Sequence, residues 1–233
     1  MYANRSELAS ARLAATMWAA ALAADPRDFD AAWKLARADY WLGGHVPERE
    51  RRAMYEQGIE AGRKAVALYP DRPDGHFWIG ANMGALAESF GLRQGVKYRT
   101  QIKEEFETVK RLAPGYLNGS ADRALGRWYY KVPRLFGGNQ KLAESHLRTS
   151  LTYDLASTAS HFFLAELLLD QGRTREARAE LQQVLDAPLN PDWLPEDREF
   201  KDKARKLLES LKSEVKYEAC SLTSYFRLHT SYL

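Results

Sequence analysis

Apolar and small residues recur along this chain in sets that share one spacing and one ending. Ala14, Trp18 and Ala21 are followed by Pro26, Gly58, Gly62 and Ala65 by Pro70, and Ile102, Phe106 and Val109 by Pro114. Steps of four and then three place each set on one face of a helix. A proline five residues after the last member cannot continue that helix and imposes a turn. Ala143, Leu147 and Ser150 form a fourth set, which reaches Leu155 where the others have proline. The stripe is kept there and the stop is weakened.

After each turn the pattern predicts a second helix marked by a large residue beside a small one. Leu35-Ala36, Ile79-Gly80 and Leu164-Ala165 put the small residue ten positions after Pro26, Pro70 and Leu155. Leu125-Gly126 holds the same place after Pro114, two residues late, with Tyr129 beyond it. Such a pair suits a close crossing of antiparallel helices, and Gly80 is expected at one. Gly84, in the same helix, is read the same way. Phe136-Gly137-Gly138-Asn139 reads as a turn, with Gly137 held by its backbone angles. The last unit continues through Gly172 to Ala177, Leu181 and Val184.

These spacings, over residues 10–190, resemble those of the tetratricopeptide repeat (TPR) family, whose period is about 34 residues. The resemblance implies an all-α fold, a right-handed superhelical solenoid of antiparallel helix pairs. About four TPR-like units are expected. Two carry long inserts, at Gly43–Arg52 and Gly84–Arg99. The longer units, with Gly119-Ser120-Ala121-Asp122-Arg123-Ala124-Leu125-Gly126 and Leu135-Phe136-Gly137-Gly138, also resemble the bacterial TRAP-transporter T-component family. That family's members are helical repeat proteins, commonly periplasmic lipoproteins, that associate with a substrate-binding protein. This chain shows neither their leader nor a lipid-acceptor cysteine near its start.

A single repeat domain is expected over residues 1–212, because each helix pair needs its neighbours to bury its stripe. Residues 5–24 read as the second helix of a pair whose first is absent. Glu196–Lys212 is strongly charged, with Phe200, Ala204, Leu207, Leu208 and Leu211 on one side, as a C-terminal capping helix requires. The tail, 213–233, has no repeat spacing and is expected to be poorly ordered. Leu13–Ala24 imitates a targeting segment in composition, but Glu7 precedes it and the repeat accounts for it better. With no signal in the chain as given, the default location is cytoplasmic, and periplasmic if a leader lies upstream.

Composition narrows the function by exclusion. The net charge of +3 is spread as interleaved Lys, Arg, Asp and Glu, which is not the clustered basic face that nucleic acid requires. No apolar run reaches the roughly 20 residues of a membrane span. Cys220 stands alone, so neither an intramolecular disulfide nor a multi-cysteine zinc site is available. His45, His76, His146, His161 and His229 show no metal-binding interval, and Asp39, Glu144 and Glu166 have no histidine pair to join. Gly80-Ala81-Asn82-Met83-Gly84 falls inside a helix rather than a phosphate loop. Ser120 and Ser160 lack a nucleophile-elbow context. No enzyme, cofactor or metal is expected.

What remains is a binding surface. The TPR resemblance implies that the first helix of each pair lines a concave groove. The candidates there are Asp30, Trp33, Arg37 and Tyr40, then Asp74 and Phe77, then Arg123, Arg127 and Tyr130, then Phe162 and Glu166. Arginine beside aromatics is the chemistry of protein-binding hot spots and of acidic-ligand capture. Arg123, Arg127 and Tyr130 fall on the side of their helix opposed to Leu125 and Tyr129, and favour a carboxylate-bearing partner. The expected function is a non-catalytic protein–protein interaction scaffold that grips a protein partner in this groove. The alternative, implied by the TRAP resemblance, is a periplasmic transport accessory. It would bind or pass a small-molecule ligand and dock on a solute-binding protein.

Overall fold

A computed structural model describes residues 2–229, with the side chains of 92–94 and 213–229 outside the described set. Among the described residues the regular structure is helical. The helices are α1 (Leu8–Ala24), α2 (Phe29–His45), α3 (Glu48–Leu68), α4 (Pro73–Phe90), α5 (Leu92–Leu112), α6 (Ser120–Lys131), α7 (Gln140–Tyr153), α8 (Thr158–Asp170), α9 (Thr174–Asp186) and α10 (Leu194–His229). Short 3-10 turns lie at Tyr2–Asn4, Arg134–Phe136 and Pro191–Trp193. The chain forms two compact units, Met1–Leu155 and Ala156–Leu233. The division falls at the one repeat ending that lacks proline, where Leu155 is 81% exposed.

The proline stops act as the spacing predicts. The caps Asp25, Tyr69 and Ala113 directly precede Pro26, Pro70 and Pro114, and all three leave the helical region, with φ of −128°, −141° and −153°. Proline's ring excludes the helical region for the residue before it, so each helix ends one residue earlier. The chain then re-enters helix quickly. The Asp28 carboxylate accepts from the Ala31 amide at 2.8 Å, and α4 opens on Pro73, whose missing N–H costs nothing at a first turn. The late register of α6 has a backbone cause. Leu117, Asn118 and Gly119 take φ of 44°, 55° and 72°, a left-handed run inserted before Ser120. The inserts near Gly43–Arg52 and Gly84–Arg99 are not loops. They lengthen α2, α3, α4 and α5, leaving only Val46 and Pro47 between α2 and α3 and only Gly91 between α4 and α5.

In the first unit, Tyr55, Phe77, Trp78, Ile79, Met83, Leu86, Ile102, Phe106, Val109 and Leu125 form one buried cluster across α3 to α6. Gly80 sits at a crossing: a Cβ there would lie 2.9 Å from the Phe106 ring. Gly126 and Gly62 are equally tight, at 2.7 Å from Leu147 and 2.6 Å from Ile79. Gly84 departs from the expectation, since a Cβ would meet nothing within 4 Å. In the Phe136–Asn139 turn, Gly137 has the expected left-handed φ of 104°, yet Gly138 is the stricter position. A Cβ on Gly138 would collide with the carbonyl oxygen of Val132.

A polar pair also recurs between the two helices of a unit. His76 of α4 faces Glu105 of α5 at 2.6 Å, Asp122 of α6 faces His146 of α7 at 2.7 Å, and His161 of α8 faces Glu180 of α9 at 2.6 Å. The three first-helix members each stand four residues before Gly80, Gly126 or Ala165. Their partners directly precede Phe106, Leu147 and Leu181. The middle pair has its acid and histidine exchanged, and the matching residues of the earlier helix pair, α2 and α3, are Ala32 and Ala61.

The second unit packs α8, α9 and α10 around Leu164, Leu167, Leu168, Leu181, Val184 and Ala204. Phe200 of α10 stands 5.5 Å from the rings of both Phe162 and Phe163, and Leu211 is buried as well. The Thr158 hydroxyl donates to Asp197 at 2.6 Å, tying α8 to α10. The capping face expected on Glu196–Lys212 is thus in use. The helix of α10 runs on to His229. The side chains of the expected tail, Cys220 and His229 among them, lie outside the described residues.

Candidate functional site

In the first unit, α2, α4 and α6 are neighbours, with α4 between the other two. Their shared face, turned from α3, α5 and α7, carries the arginines and aromatics that the pattern singled out. Tyr40 of α2 lies 5.6 Å from Trp78 of α4. The same Tyr40 acts electrostatically on Arg123 of α6. Tyr40 and Trp78 thus pack against each other, with Arg123 within electrostatic range of Tyr40.

Arg123 is the unusual member. It is half-buried, and its guanidinium makes no hydrogen bond or ion pair among the described residues. Burial lowers its pKa from the usual arginine value, and Tyr40 and Asp154 oppose that shift. Arg127, one turn on, is committed instead, donating from Nε and Nη2 to the two carboxylate oxygens of Glu88 at 3.0 and 3.1 Å. Tyr130 is half-buried, with the Lys131 ammonium 4.5 Å from its ring centre.

At the other edge of this face, Arg37 lies among rings, 4.2 Å from Tyr2, 5.0 Å from Trp33 and 5.9 Å from Trp18. Asp30 accepts from Trp33 Nε1 at 3.0 Å and from Lys34 at 2.9 Å, bonds that hold its carboxyl below the usual range, Lys34 contributing most. Asp74 is buried and is the acceptor of the Tyr116 hydroxyl at 3.2 Å, with Arg72 at 3.3 Å. Burial and the Asp74 charge keep Tyr116 protonated far above the ordinary range.

The structure therefore gathers Trp33, Arg37, Tyr40, Arg123, Arg127 and Tyr130 onto one unit's first helices. It removes Phe77, which is 8% exposed and packed on Trp78, Phe106 and Tyr116. Asp74 is likewise a structural carboxylate rather than an open one. Phe162 and Glu166 belong to α8 of the second unit, and Phe162 is buried against Phe200. Sequence reasoning missed Tyr2 and Tyr116, which lie outside the repeat stripes in a 3-10 turn and an inter-repeat turn. It also missed the carboxylate partners of His76, His146 and His161. Their matched places in the repeat were the available signal.

Two clefts lie elsewhere in the first unit. One of about 280 Å³ is lined by Glu56, Ile59, Glu60, Arg63 and Tyr98, and one of about 640 Å³ by Pro47, Glu48, Arg49, Arg52 and Phe90. Neither contains a groove candidate. Among the described residues no three metal-ligating side chains come together. No described helix is long and apolar enough to cross a membrane.

The fold is that of the tetratricopeptide-type helical proteins. A thermophilic TPR protein of Thermus thermophilus superposes with a TM-score of 0.65 at 24% identity, covering 88% of this chain and 94% of that one. MamA superposes with a TM-score of 0.50 at 15% identity, covering 81% and 89%. Within that class, the chain belongs to the family described as Regulator of microtubule dynamics protein 1-3, which matches residues 2–156. The match has the extent of the first unit. Regulator of microtubule dynamics protein 3 of Bos taurus is 29% identical over 140 residues, 60% of this chain and 29% of that protein. The Rattus norvegicus protein of the same name is 26% identical over 140 residues, with the same shares. The aligned stretch thus spans less than a third of these relatives' length.

This membership corrects the narrower resemblance drawn from the sequence. Gly119–Gly126 and Leu135–Gly138 both fall inside the matched stretch, and the family it matches is not the TRAP-transporter T-component family. A solute-binding protein as partner, a transported small ligand and a bacterial origin have no support in these comparisons.

Proposed function

We propose that the first unit is a non-catalytic protein-interaction module of a microtubule-related regulator, with the face of α2, α4 and α6 as its working surface. The carrying observation is the coincidence of the family match, residues 2–156, with the compact unit that bears this face. The chemistry supports the same reading. Trp33, Tyr40 and Tyr130 remain accessible or half-accessible beside arginines, the residue types that dominate protein-binding hot spots. A rigid helical frame holds them, so a partner would order little of this surface on binding.

The test is co-sedimentation of the full chain with polymerised tubulin, alongside turbidity of tubulin assembly. Binding that is weakened by Trp33→Ala combined with Tyr40→Ala, both still helical by circular dichroism, is the expected result. A chain that neither sediments with the polymer nor alters assembly overturns the microtubule part. Binding untouched by the double substitution moves the working surface elsewhere.

A further inference from the structure

Arg123 is half-buried, partly stripped of solvent and, among the described residues, without a hydrogen bond or ion pair to its guanidinium, while Arg127 one turn away is bound in bidentate fashion by Glu88. We infer that Arg123 is the anion anchor of the working face, and that it takes a glutamate or aspartate side chain of a partner polypeptide. This deepens the proposed function and rests on it.

The argument begins with cost. A guanidinium withdrawn from water loses hydration, and in folded proteins that loss is normally offset by a carboxylate or by acceptors in good geometry. Here the neighbouring α6 arginine obeys that rule and Arg123 does not. What reaches it from its surroundings is the electrostatic influence of Tyr40 and Asp154. A guanidinium offers a planar fork of donors, and a carboxylate is the group that matches it with two parallel bonds.

Charge selects among anions. With Asp154 already acting on Arg123, a carboxylate adds one negative charge where a dianionic phosphate adds two, so the singly charged group meets less repulsion. Arg37 is spent on the rings of Tyr2, Trp33 and Trp18, and Arg127 on Glu88. The face also continues on both sides of Arg123, through Tyr40 toward Trp33 and along α6 to Tyr130. A chain lying across it presents a carboxylate from its middle, which means a side chain. A partner chain lying across Tyr40 and Tyr130 would exclude water from that ion pair and so strengthen it.

The experiment titrates the full chain with a short glutamate-containing peptide blocked at both ends, its glutamine counterpart, and inorganic phosphate. The readouts are affinity and the NMR signal of the Arg123 Nε–H. The glutamate peptide is expected to shift that signal and to bind about tenfold or more tightly than the glutamine peptide, the loss typical of a charge-assisted bond. Arg123→Gln should remove the preference, Arg123→Lys should restore part of it, and Arg148→Gln, on α7 away from this face, should leave it in place. Equal binding of the two peptides, an unmoved Arg123 signal, or displacement of the peptide by equimolar phosphate overturns the anchor. If Arg123→Gln does not fold, the wild-type signal alone decides. Tubulin co-sedimentation that survives Arg123→Gln sinks the anchor and leaves the interaction module standing. A peptide response without co-sedimentation does the reverse.

Discussion

His76 Nδ1 lies 2.6 Å from Glu105 Oε2, while its Nε2 lies 2.9 Å from the carbonyl oxygen of Pro70. Both ring nitrogens face acceptors, so only the imidazolium can donate to both. The Glu105 bond, helped by Pro70, raises the pKa of His76 above its ordinary 6.5 against the opposing effects of burial and of Arg111. A raised histidine stabilises the fold fully below the unfolded value, and that contribution is lost as pH rises through the folded one. Wild type should therefore exceed His76→Gln in melting temperature at about pH 6, with the gap closing by about pH 9. A gap independent of pH would show that the pair acts only by packing.

The exchanged order of Asp122 and His146 makes a companion prediction. Because these positions are equivalent to His76 and Glu105, the double exchange His76→Glu with Glu105→His should recover most of what either single change loses. The single changes leave a half-buried group facing a like or missing partner, at a cost of about 1–3 kcal/mol. Thermal melts of the three variants check it. No recovery in the double variant would mean that the repeat equivalence is not one of geometry.

Asp39 is 3% exposed and its Oδ2 has no hydrogen-bond partner among the described residues. Burial pushes its carboxyl up to about 7. The folded state then holds a proton that the unfolded chain releases near 3.8, so this group lowers stability as pH rises from there toward 7. Asp39→Asn should stabilise the protein at pH above about 7, by on the order of 2–4 kcal/mol, and by little near about pH 4. Denaturant midpoints at the two pH values test this. A variant less stable than wild type at neutral pH would overturn it.

Four glycines should separate by mechanism. Gly80→Leu drives a side chain into the Phe106 ring and should lose at least about 1–3 kcal/mol. Gly137→Ala should cost about 1 kcal/mol through its left-handed φ, and Gly138→Ala more, because the obstructing atom is the backbone oxygen of Val132. Gly84→Ala meets nothing and should gain about 0.5–1 kcal/mol in the interior of α4. Urea melts that rank Gly84→Ala with Gly80→Leu would contradict the packing assignment.

Ending the chain after residue 213 should leave its melting temperature unchanged, since the repeat stripes stop before it. Ending it after Pro195 removes Phe200, Ala204 and Leu211 and uncovers Phe162 and Phe163. That shorter chain should aggregate or melt without cooperativity. If the shorter cut, after residue 213, alone lowers the melting temperature by several degrees, the boundary lies further along α10.

Much of the fold was legible because its determinants are local. Helical spacing follows from the residues within a turn, and Pro26, Pro70 and Pro114 stop α1, α3 and α5 through the backbone of the single residue before each. The TRAP resemblance had a local origin too. Gly119, Gly137 and Gly138 answer to turn geometry, a requirement that unrelated helical proteins share. The proposed face was legible only as a list of candidates. Trp33, Tyr40 and Arg123 were on it, as was Phe77, which the core took.

The sequence by itself determined that this chain makes paired helices, where α1, α3 and α5 stop, and which stripe of each turns inward. Periodicity and proline chemistry suffice for that. Only the tertiary structure decided which polar groups are satisfied. Glu88 reaches Arg127 from 39 positions away, Glu105 reaches His76 from 29, and no carboxylate among the described residues pairs with Arg123. Such meetings depend on how one helix is set against the next. A guanidinium's partner is chosen by distance in space, and spacing along a helix carries no record of it.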